Sequence, residues 1–186
     1  MSETPTVLVV DDEESVAEGY GLWLSGDYEV RVTTGGEEAL DALDSDVDAV
    51  LLDRRMPGLS GDEVLNRIHE RDDTDPRVAM VTAVDPDFDI VDMPFDTYLT
   101  KPVERETLLD TVDQLVALSD HDDTVNERFR VAEKKASLEK RKSQSELEDS
   151  EKYQQLEARL EELEEESEDA VDGMDHDTFK TAIRDL

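Results

Sequence analysis

The sequence predicts an α/β protein in which a parallel sheet of five strands carries helices on both faces and is followed by an all-α segment. Short apolar runs, typical of strands buried on both faces, alternate with segments of helical periodicity. The loops that join them are short, as in doubly wound sheets. After Leu118 the composition changes, because residues 125–169 contain no proline or glycine and few apolar positions.

The five predicted strands are apolar or alternating runs bounded by turn-forming or charged residues. They are Thr6–Val10, Tyr28–Val32, Val47–Leu52, Arg77–Val84 and Tyr98–Thr100. We expect a (βα)5 sheet of the flavodoxin-like type with strand order 2-1-3-4-5. The break in that order places a crevice over the carboxyl ends of the first and third strands.

The predicted helices between these strands each carry apolar residues on one face. They begin near Ser15, Gly35–Gly36, Gly61 and Glu104, and the last of them runs to Leu118. Between the fourth and fifth strands, Pro86 and Pro94 leave room for two helical turns at most, with Pro86 at the first helical position. The fourth helix is therefore expected to be short.

Residues beyond the last of these helices predict a separate helical unit. We divide the chain into residues 1–119, a polar linker at 120–124 and a helical unit at 125–186. Two stripes at coiled-coil spacing are predicted to be buried: Val125, Phe129, Ala132 and Ala136, and then Tyr153, Leu156, Leu160 and Leu163.

The break between the two stripes indicates how the helical unit is arranged. Ser143 with Glu146 three residues later is a capping-box pattern, which starts a second helix. We interpret the unit as a helical hairpin, with one long rod as the alternative. Gly173 ends the second arm, and a short terminal helix is expected over Asp175–Leu186.

The composition is strongly acidic, with 52 Asp and Glu residues against 19 Lys and Arg and a formal net charge of -33. Such a surface repels nucleic acid and anionic membranes. Self-repulsion is screened in concentrated salt, since the Debye length falls to about 3 Å at 1 M, so we expect a protein adapted to high salt.

Several classes of protein are excluded by what the sequence lacks. The absence of cysteine excludes disulfides, thiolate metal sites and cysteine nucleophiles. No segment has the length of a membrane span, and the N-terminus lacks a basic, apolar signal. We expect a soluble cytoplasmic protein without a membrane partner.

Three carboxylates are predicted to share one site. Asp53 follows the apolar run Val50–Leu52 and precedes Met56–Pro57–Gly58, while Asp11 and Asp12 follow the first strand. Neighbouring strands lie about 4.8 Å apart, and two carboxylates about 4 Å apart repel by about 4 kcal/mol at an effective dielectric near 20. A cation is therefore needed, and an all-oxygen site suits Mg²⁺.

Two further groups complete a set that can form an acyl phosphate. Thr82 places a hydroxyl at the end of the fourth strand, and Lys101 places an ammonium at the end of the fifth. With Asp53 as the nucleophile, Mg²⁺ and Lys101 would neutralise the phosphoryl oxygens and Thr82 would donate a hydrogen bond to one of them.

The ordered motifs resemble the receiver domain of two-component response regulators over about residues 4–118. They are Asp11-Asp12, Asp53 with Met56-Pro57-Gly58, Thr82-Ala83 and Tyr98-Leu99-Thr100-Lys101-Pro102. The resemblance implies that a sensor histidine kinase phosphorylates the chain. The implied roles are Asp53 as the phospho-acceptor, Asp11 and Asp12 as metal-site acids, the main-chain carbonyl of Arg55 as a further metal ligand, Thr82 and Tyr98 as a switch pair, and a cis peptide before Pro102.

The C-terminal unit resembles the HalX domain found behind receivers in haloarchaeal regulators. The motifs are Ala136-x-Leu138-Glu139, Tyr153-x-x-Leu156-Glu157 and the closing Phe179…Asp185-Leu186. This resemblance implies an output domain and names no target for it.

The leading functional hypothesis is a signalling switch without enzymatic turnover, whose C-terminal helices act on a protein partner or a second copy of the chain. A DNA-binding regulator that uses the basic stretch 128–142 is the alternative. We favour pairing of this stretch with the acidic arm of the hairpin, because acidic residues interleave it and no base-reading motif is present. A phosphohydrolase is disfavoured, since Arg55 occupies the place where such enzymes commonly carry a second acid.

Overall fold

The computed structural model describes residues 3–119, 121 and 123–172, with side chains described as far as residue 166. Its sheet is parallel throughout, and the strand order 2-1-3-4-5 confirms the prediction. The strands are β1 (Thr6–Val10), β2 (Glu29–Thr33), β3 (Val47–Leu52), β4 (Arg77–Thr82) and β5 (Thr97–Thr100). Strands β1 and β4 are buried throughout and β3 almost so, as their apolar runs indicate, whereas the edge strand β2 is partly exposed.

Helices cover both faces of the sheet. They are α1 (Glu14–Leu24), α2 (Gly36–Ala42), α3 (Gly61–His69) and α4 (Arg105–Leu118). Helices α1 and α4 pack on one face, against alternate strand residues such as Val9 and Leu51. Helices α2 and α3 pack on the other face, against Leu8 and Leu52. The side chains of successive strand residues therefore enter two separate cores.

Between β4 and β5 the chain forms a 3₁₀ helix (Phe88–Asp92), which confirms the prediction of a short fourth helical element. The prediction that Pro86 occupies the first helical position was wrong. Asp87 caps the helix instead, because its carboxylate accepts a hydrogen bond from the Phe88 N–H.

Residues 123–172 form a hairpin of helices, not one long rod. Its helices are α5 (Asp123–Glu139), α6 (Gln144–Glu148) and α7 (Glu151–Asp172). Arg159 of α7 donates to Glu127 of α5 across the hairpin at 2.8 Å. The predicted capping box is present, since Ser143 and Glu146 exchange hydrogen bonds at the start of α6. Gly173 and the terminal helix predicted over Asp175–Leu186 lie outside the described residues.

The buried face of α7 follows the predicted stripe, but that of α5 follows it only in part. Tyr153, Leu156 and Leu163 are buried and Leu160 is partly buried. On α5 the predicted stripe from Val125 to Ala136 holds only in part, because Phe129 packs against the core whereas Ala132 is exposed. The buried residues of α5 are instead Asn126, Val131, Lys134 and Leu138. Two of these four are polar, so hydrophobic spacing could not identify the face.

The hairpin packs on the α/β unit (residues 3–119) beside β5 and the 3₁₀ helix. Its apolar residues Leu138 and Leu156 join the core that contains Ile90 and Phe95. The hairpin therefore covers the region that the short fourth element leaves open. Within the described ranges, no helix combines the length and apolarity needed to cross a membrane.

Candidate acidic site at the carboxyl edge of the sheet

Pairing of β1 with β3 brings the first carboxylates of the site together. Val10 lies opposite Leu52 in this pair, so Asp11 and Asp53 leave the sheet side by side, and the Asp53 N–H donates to the Val10 carbonyl at 3.0 Å. Carboxylate oxygens of Asp11, Asp12 and Asp53 all lie within 4.8 Å of one another. Asp11 and Asp53 are buried and Asp12 is exposed.

Lys101 reaches this cluster from the end of β5. Its Nζ donates to Asp11 Oδ2 at 2.5 Å and to Asp53 Oδ2 at 3.2 Å. Burial lowers the pKa of Lys101, but the hydrogen bond and charge of Asp11 and the charge of Asp53 outweigh it, so the pKa lies above its ordinary value. Lys101 is therefore charged at neutral pH, and the three carboxylates outnumber it.

Thr82 and Tyr98 meet at the loop that follows β4. The buried Thr82 hydroxyl accepts a hydrogen bond from the Val84 N–H at 3.3 Å. The Tyr98 hydroxyl donates to the Val84 carbonyl at 2.5 Å. Both side chains therefore hold the same residue of the loop, one through its N–H and the other through its carbonyl. The Lys101–Pro102 peptide is cis.

Arg55 lies at the rim of the site. Its N–H donates a long hydrogen bond to Asp53 Oδ1 at 3.4 Å, and its side chain is exposed. The main chain of Arg55, which carries the carbonyl predicted as a metal ligand, is therefore adjacent to the Asp53 carboxylate.

Sequence reasoning missed the role of Gly61 in building the site. Helix α3 begins at Gly61, whose N–H donates to the Arg54 carbonyl at 2.8 Å. A Cβ atom at this position would lie 1.9 Å from the Asp53 carbonyl oxygen. Only glycine allows this close approach of the helix to the backbone that carries Asp53. The sequence gives no signal beyond a glycine at the start of a predicted helix.

Arg54, directly after Asp53, was also missed. Its guanidinium is mostly buried and forms a two-pronged ion pair with Asp62 at 2.9 and 3.0 Å, and it contacts Asp89 at 2.6 Å. The hydrogen bond with Asp62 raises the pKa of Arg54, against the effect of burial. Asp89 lies 35 residues away along the chain, so no local pattern reveals this contact.

A parallel 2-1-3-4-5 sheet with carboxylates, a hydroxyl and a lysine at its carboxyl edge defines the class of signal-receiver domains. The family model of the response regulator receiver domain matches residues 7–113, more than half of the chain, and that of the HalX domain matches residues 117–183. The chain belongs to the response regulator receiver family and carries a HalX domain behind its receiver. This combination indicates a regulatory protein.

Individual relatives agree with this assignment. A Haloferax volcanii protein provisionally named a transcriptional regulator is 48% identical over 89% of this chain, although the chain spans only 28% of that protein. The beryllofluoride-activated receiver domain of DrrB is 27% identical, with a TM-score of 0.56 over 62% of this chain and 99% of that domain. The chemotaxis regulator CheY4 of Vibrio cholerae is 26% identical, with a TM-score of 0.56 over 61% of this chain and 99% of that protein.

Proposed function

We propose that this chain is a cytoplasmic response regulator in which a sensor histidine kinase phosphorylates Asp53. Residues 1–119 form the receiver, 120–124 the linker and 125–186 the output domain. One observation supports this most directly: the Asp53 carboxylate lies at the carboxyl edge of the sheet, 3.2 Å from the Lys101 ammonium and beside two further acids. The chain is phosphorylated and signals, without turnover of a substrate of its own.

In the proposed transfer, a carboxylate oxygen of Asp53 attacks the phosphorus of a phosphohistidine. The new P–O bond forms as the P–N bond breaks, and the departing imidazole nitrogen keeps the electron pair and takes a proton from solvent. Lys101 neutralises charge on the phosphoryl oxygens, and the Thr82 hydroxyl donates a hydrogen bond to one of them.

The site fits a magnesium ion in its donor chemistry. Asp11, Asp12 and Asp53 offer carboxylate oxygens within 4.8 Å of one another, and one ammonium contacts them in the described part of the chain. These acids and the main-chain carbonyl of Arg55 would hold the ion. When bound, Mg²⁺ supplies positive charge to the phosphoryl oxygens.

Thr82 and Tyr98 form the proposed switch pair. Both are tied to Val84, through its N–H and its carbonyl respectively. A Thr82 hydroxyl that turns to a phosphoryl oxygen on Asp53 must leave the Val84 N–H. Such a turn would alter the loop on which the Tyr98 hydroxyl also depends, which shifts the receiver between two states.

A groove of about 510 Å³ beside the site offers a surface for the kinase. It runs between α1 and the loop after β5, and it is lined by apolar and aromatic groups next to Lys101: Val16, Tyr20, Trp23, Pro102 and Val103. A phosphohistidine-bearing helix seated here would approach Asp53 from the side of Lys101.

For the output, we propose a protein partner or a second copy of the chain in preference to DNA. Several basic residues of the stretch 128–142 are engaged with acids of the receiver: Arg130 with Asp96, Arg141 with Asp85, and Lys142 with Asp87. Of the expected pairing with the acidic arm, the described side chains show Lys135 with Glu157 at 4.0 Å. The name of the Haloferax relative keeps DNA as the alternative. That alternative requires retention on duplex DNA with a steep salt dependence, lost when Lys140, Arg141 and Lys142 are neutralised.

Phosphorylation of Asp53 can be tested with acetyl phosphate and Mg²⁺ in concentrated salt, read by intact mass. We expect one phosphoryl group on the wild type, none on Asp53→Asn, and wild-type phosphorylation of the exposed control Asp46→Asn. Mass gain that survives in Asp53→Asn would show that Asp53 is not the acceptor.

A further inference from the structure

The hairpin holds one short segment of the receiver through its lysines. In the docking segment (residues 87–92), the Val91 carbonyl accepts from Lys134 at 3.0 Å and Asp92 accepts from Lys152 at 2.7 Å. Lys142 pairs with Asp87 at 3.0 Å. Helices α5 and α7 are thus both attached to this segment, and its position decides how the hairpin lies on the receiver.

A second attachment fixes α5 to the start of β5. Asp96 is fully buried, and it accepts from the Val78 N–H at 2.7 Å and from Arg130 at 2.7 Å. Next to it, the Thr97 hydroxyl donates to Glu133 at 2.7 Å. These groups hold α5 independently of the docking segment.

Arg54 connects the docking segment to the residue after the phospho-acceptor. Its guanidinium joins Asp62 at the start of α3 to Asp89 in the docking segment, at 2.9 and 2.6 Å respectively. The Arg54 side chain is 10% exposed and that of Asp89 54%, so Arg54 is the more firmly held partner of this contact.

We propose that Arg54 is a positioning residue that couples phosphorylation of Asp53 to the docking of the hairpin. This inference rests on the proposed function. Phosphorylation puts about two negative charges on the residue that directly precedes Arg54 in the chain, and in this proposal the added charge competes with Asp89 for the guanidinium. Asp89 makes one contact with Arg54 whereas Asp62 makes two, so Asp89 is released first.

Loss of this contact frees one side of the docking segment. The segment then moves with the lysines that hold it, while Arg130 and Glu133 keep α5 near β5. The phosphorylated protein should therefore show a hairpin that swings about this second attachment.

The experiment uses the full chain, which has no cysteine and accepts a single pair of spin labels without other changes. The labels stand at the exposed positions Asn66 on α3 and Gln155 on α7. Beryllofluoride with Mg²⁺ mimics the phosphoryl group. A parallel sample is treated with acetyl phosphate, and its intact mass is measured. In the wild type we expect a several-fold rise in the population with a longer distance between the labels.

Two variants remove the coupling and one matched variant leaves it. Arg54→Gln and Asp89→Asn should give the same distance distribution with and without beryllofluoride. Arg71→Gln should respond as the wild type does, because Arg71 forms an equivalent two-pronged pair with Asp73 away from the site. If Arg54→Gln loses its circular-dichroism signal, Asp89→Asn decides, since its carboxylate is more than half exposed.

A wild-type distance response that persists in Arg54→Gln or Asp89→Asn would overturn the proposal. So would a wild type that gains a phosphoryl group without any change of distance, and in that case the proposed function stands. A wild type that gains no mass refutes the proposed function itself, so the two failures are distinguishable.

Discussion

The acidic site and the contact between hairpin and receiver both combine carboxylates with cationic side chains. Carboxylates are in excess at the site, whereas cations are in excess around the buried carboxylate of the hairpin contact. At the site, the three carboxylates of Asp11, Asp12 and Asp53 outnumber the Lys101 ammonium, which contacts two of them. At the hairpin contact, the buried carboxylate of Asp96 has two guanidinium neighbours, Arg130 at 2.7 Å and Arg77 at 3.9 Å. A buried charge that is fully paired holds two elements together, whereas an underneutralised cluster favours an added cation and a phosphoryl group.

The two regions also differ in how the backbone supports them. The site depends on a close approach of main chain, because α3 begins within van der Waals distance of the Asp53 carbonyl. The hairpin contact depends on side chains that reach across from separate helices, such as Lys134 and Lys152. Substitutions should therefore act on the site through backbone geometry and on the hairpin through charge.

The largest effect is expected at Gly61, where the backbone of the site is closest. In Gly61→Ala the added Cβ would lie 1.9 Å from the Asp53 carbonyl oxygen, so α3 or the loop that carries Asp53 must shift. We expect the free energy of unfolding to fall by about 3 kcal/mol or more and phosphorylation of Asp53 to be lost. Denaturant titration in concentrated salt and intact mass measure the two quantities.

Gly19→Ala is the matched control for this substitution. Gly19 lies inside α1, and a Cβ there would meet no atom within 4 Å. Replacement of a helical glycine by alanine should stabilise the protein by about 0.5–1 kcal/mol. Equal effects of the two substitutions would contradict the role assigned to the close approach at Gly61.

The next largest effect is expected at the buried ion pair of the hairpin contact. In Arg130→Gln, Asp96 loses its close ion pair at 2.7 Å and keeps Arg77 at 3.9 Å, and loss of the close partner of a buried pair leaves a poorly compensated charge. We expect the free energy of unfolding to fall by about 3 kcal/mol. Denaturant titration measures this change.

Arg128→Gln, two residues earlier on the same helix, is the control for loss of charge alone. Arg128 is exposed, so its replacement should change the stability by less than about 0.5 kcal/mol. A loss in Arg130→Gln no larger than that in Arg128→Gln would mean that Asp96 does not need its partner on the hairpin.

The position of the carboxylates and Lys101 at one edge of the sheet could be predicted from the sequence, whereas the hairpin contact could not, and the reason is physical. Asp11, Asp53 and Lys101 directly follow parallel strands and Thr82 is the last residue of one, so topology places all four at the same edge of the sheet. The face of α5 that meets the receiver contains Lys134, a residue type that is almost always exposed. A hydrophobic pattern cannot reveal a buried lysine whose partner is a main-chain carbonyl 43 residues away.

Local signals were reliable where the interaction is local. The capping box of Ser143 and Glu146 spans one helical turn, so the sequence alone reveals the start of α6. The contacts of Arg54 with Asp89 and of Arg130 with Asp96 join residues more than 30 positions apart, and only the folded chain shows them.

The smallest expected effect concerns Lys134 and appears as a dependence of stability on pH. Burial lowers the pKa of Lys134 to about 8, and the charge of Arg130 acts in the same direction, against those of Asp92 and Asp96. The folded chain therefore binds fewer protons than the unfolded chain between pH 8 and the ordinary pKa of 10.5. Stability should rise with pH across this window, since deprotonation removes the cost of the buried charge.

Relative to Lys134→Met, the wild type should gain about 2 kcal/mol of unfolding free energy between pH 8 and pH 10.5. Lys142→Met is the control, because Lys142 pairs with Asp87 and the pKa of its ammonium is raised by that hydrogen bond. This variant should keep the rise seen in the wild type. If wild type and Lys134→Met instead run parallel over the whole window, burial does not lower the pKa of Lys134 in the folded chain.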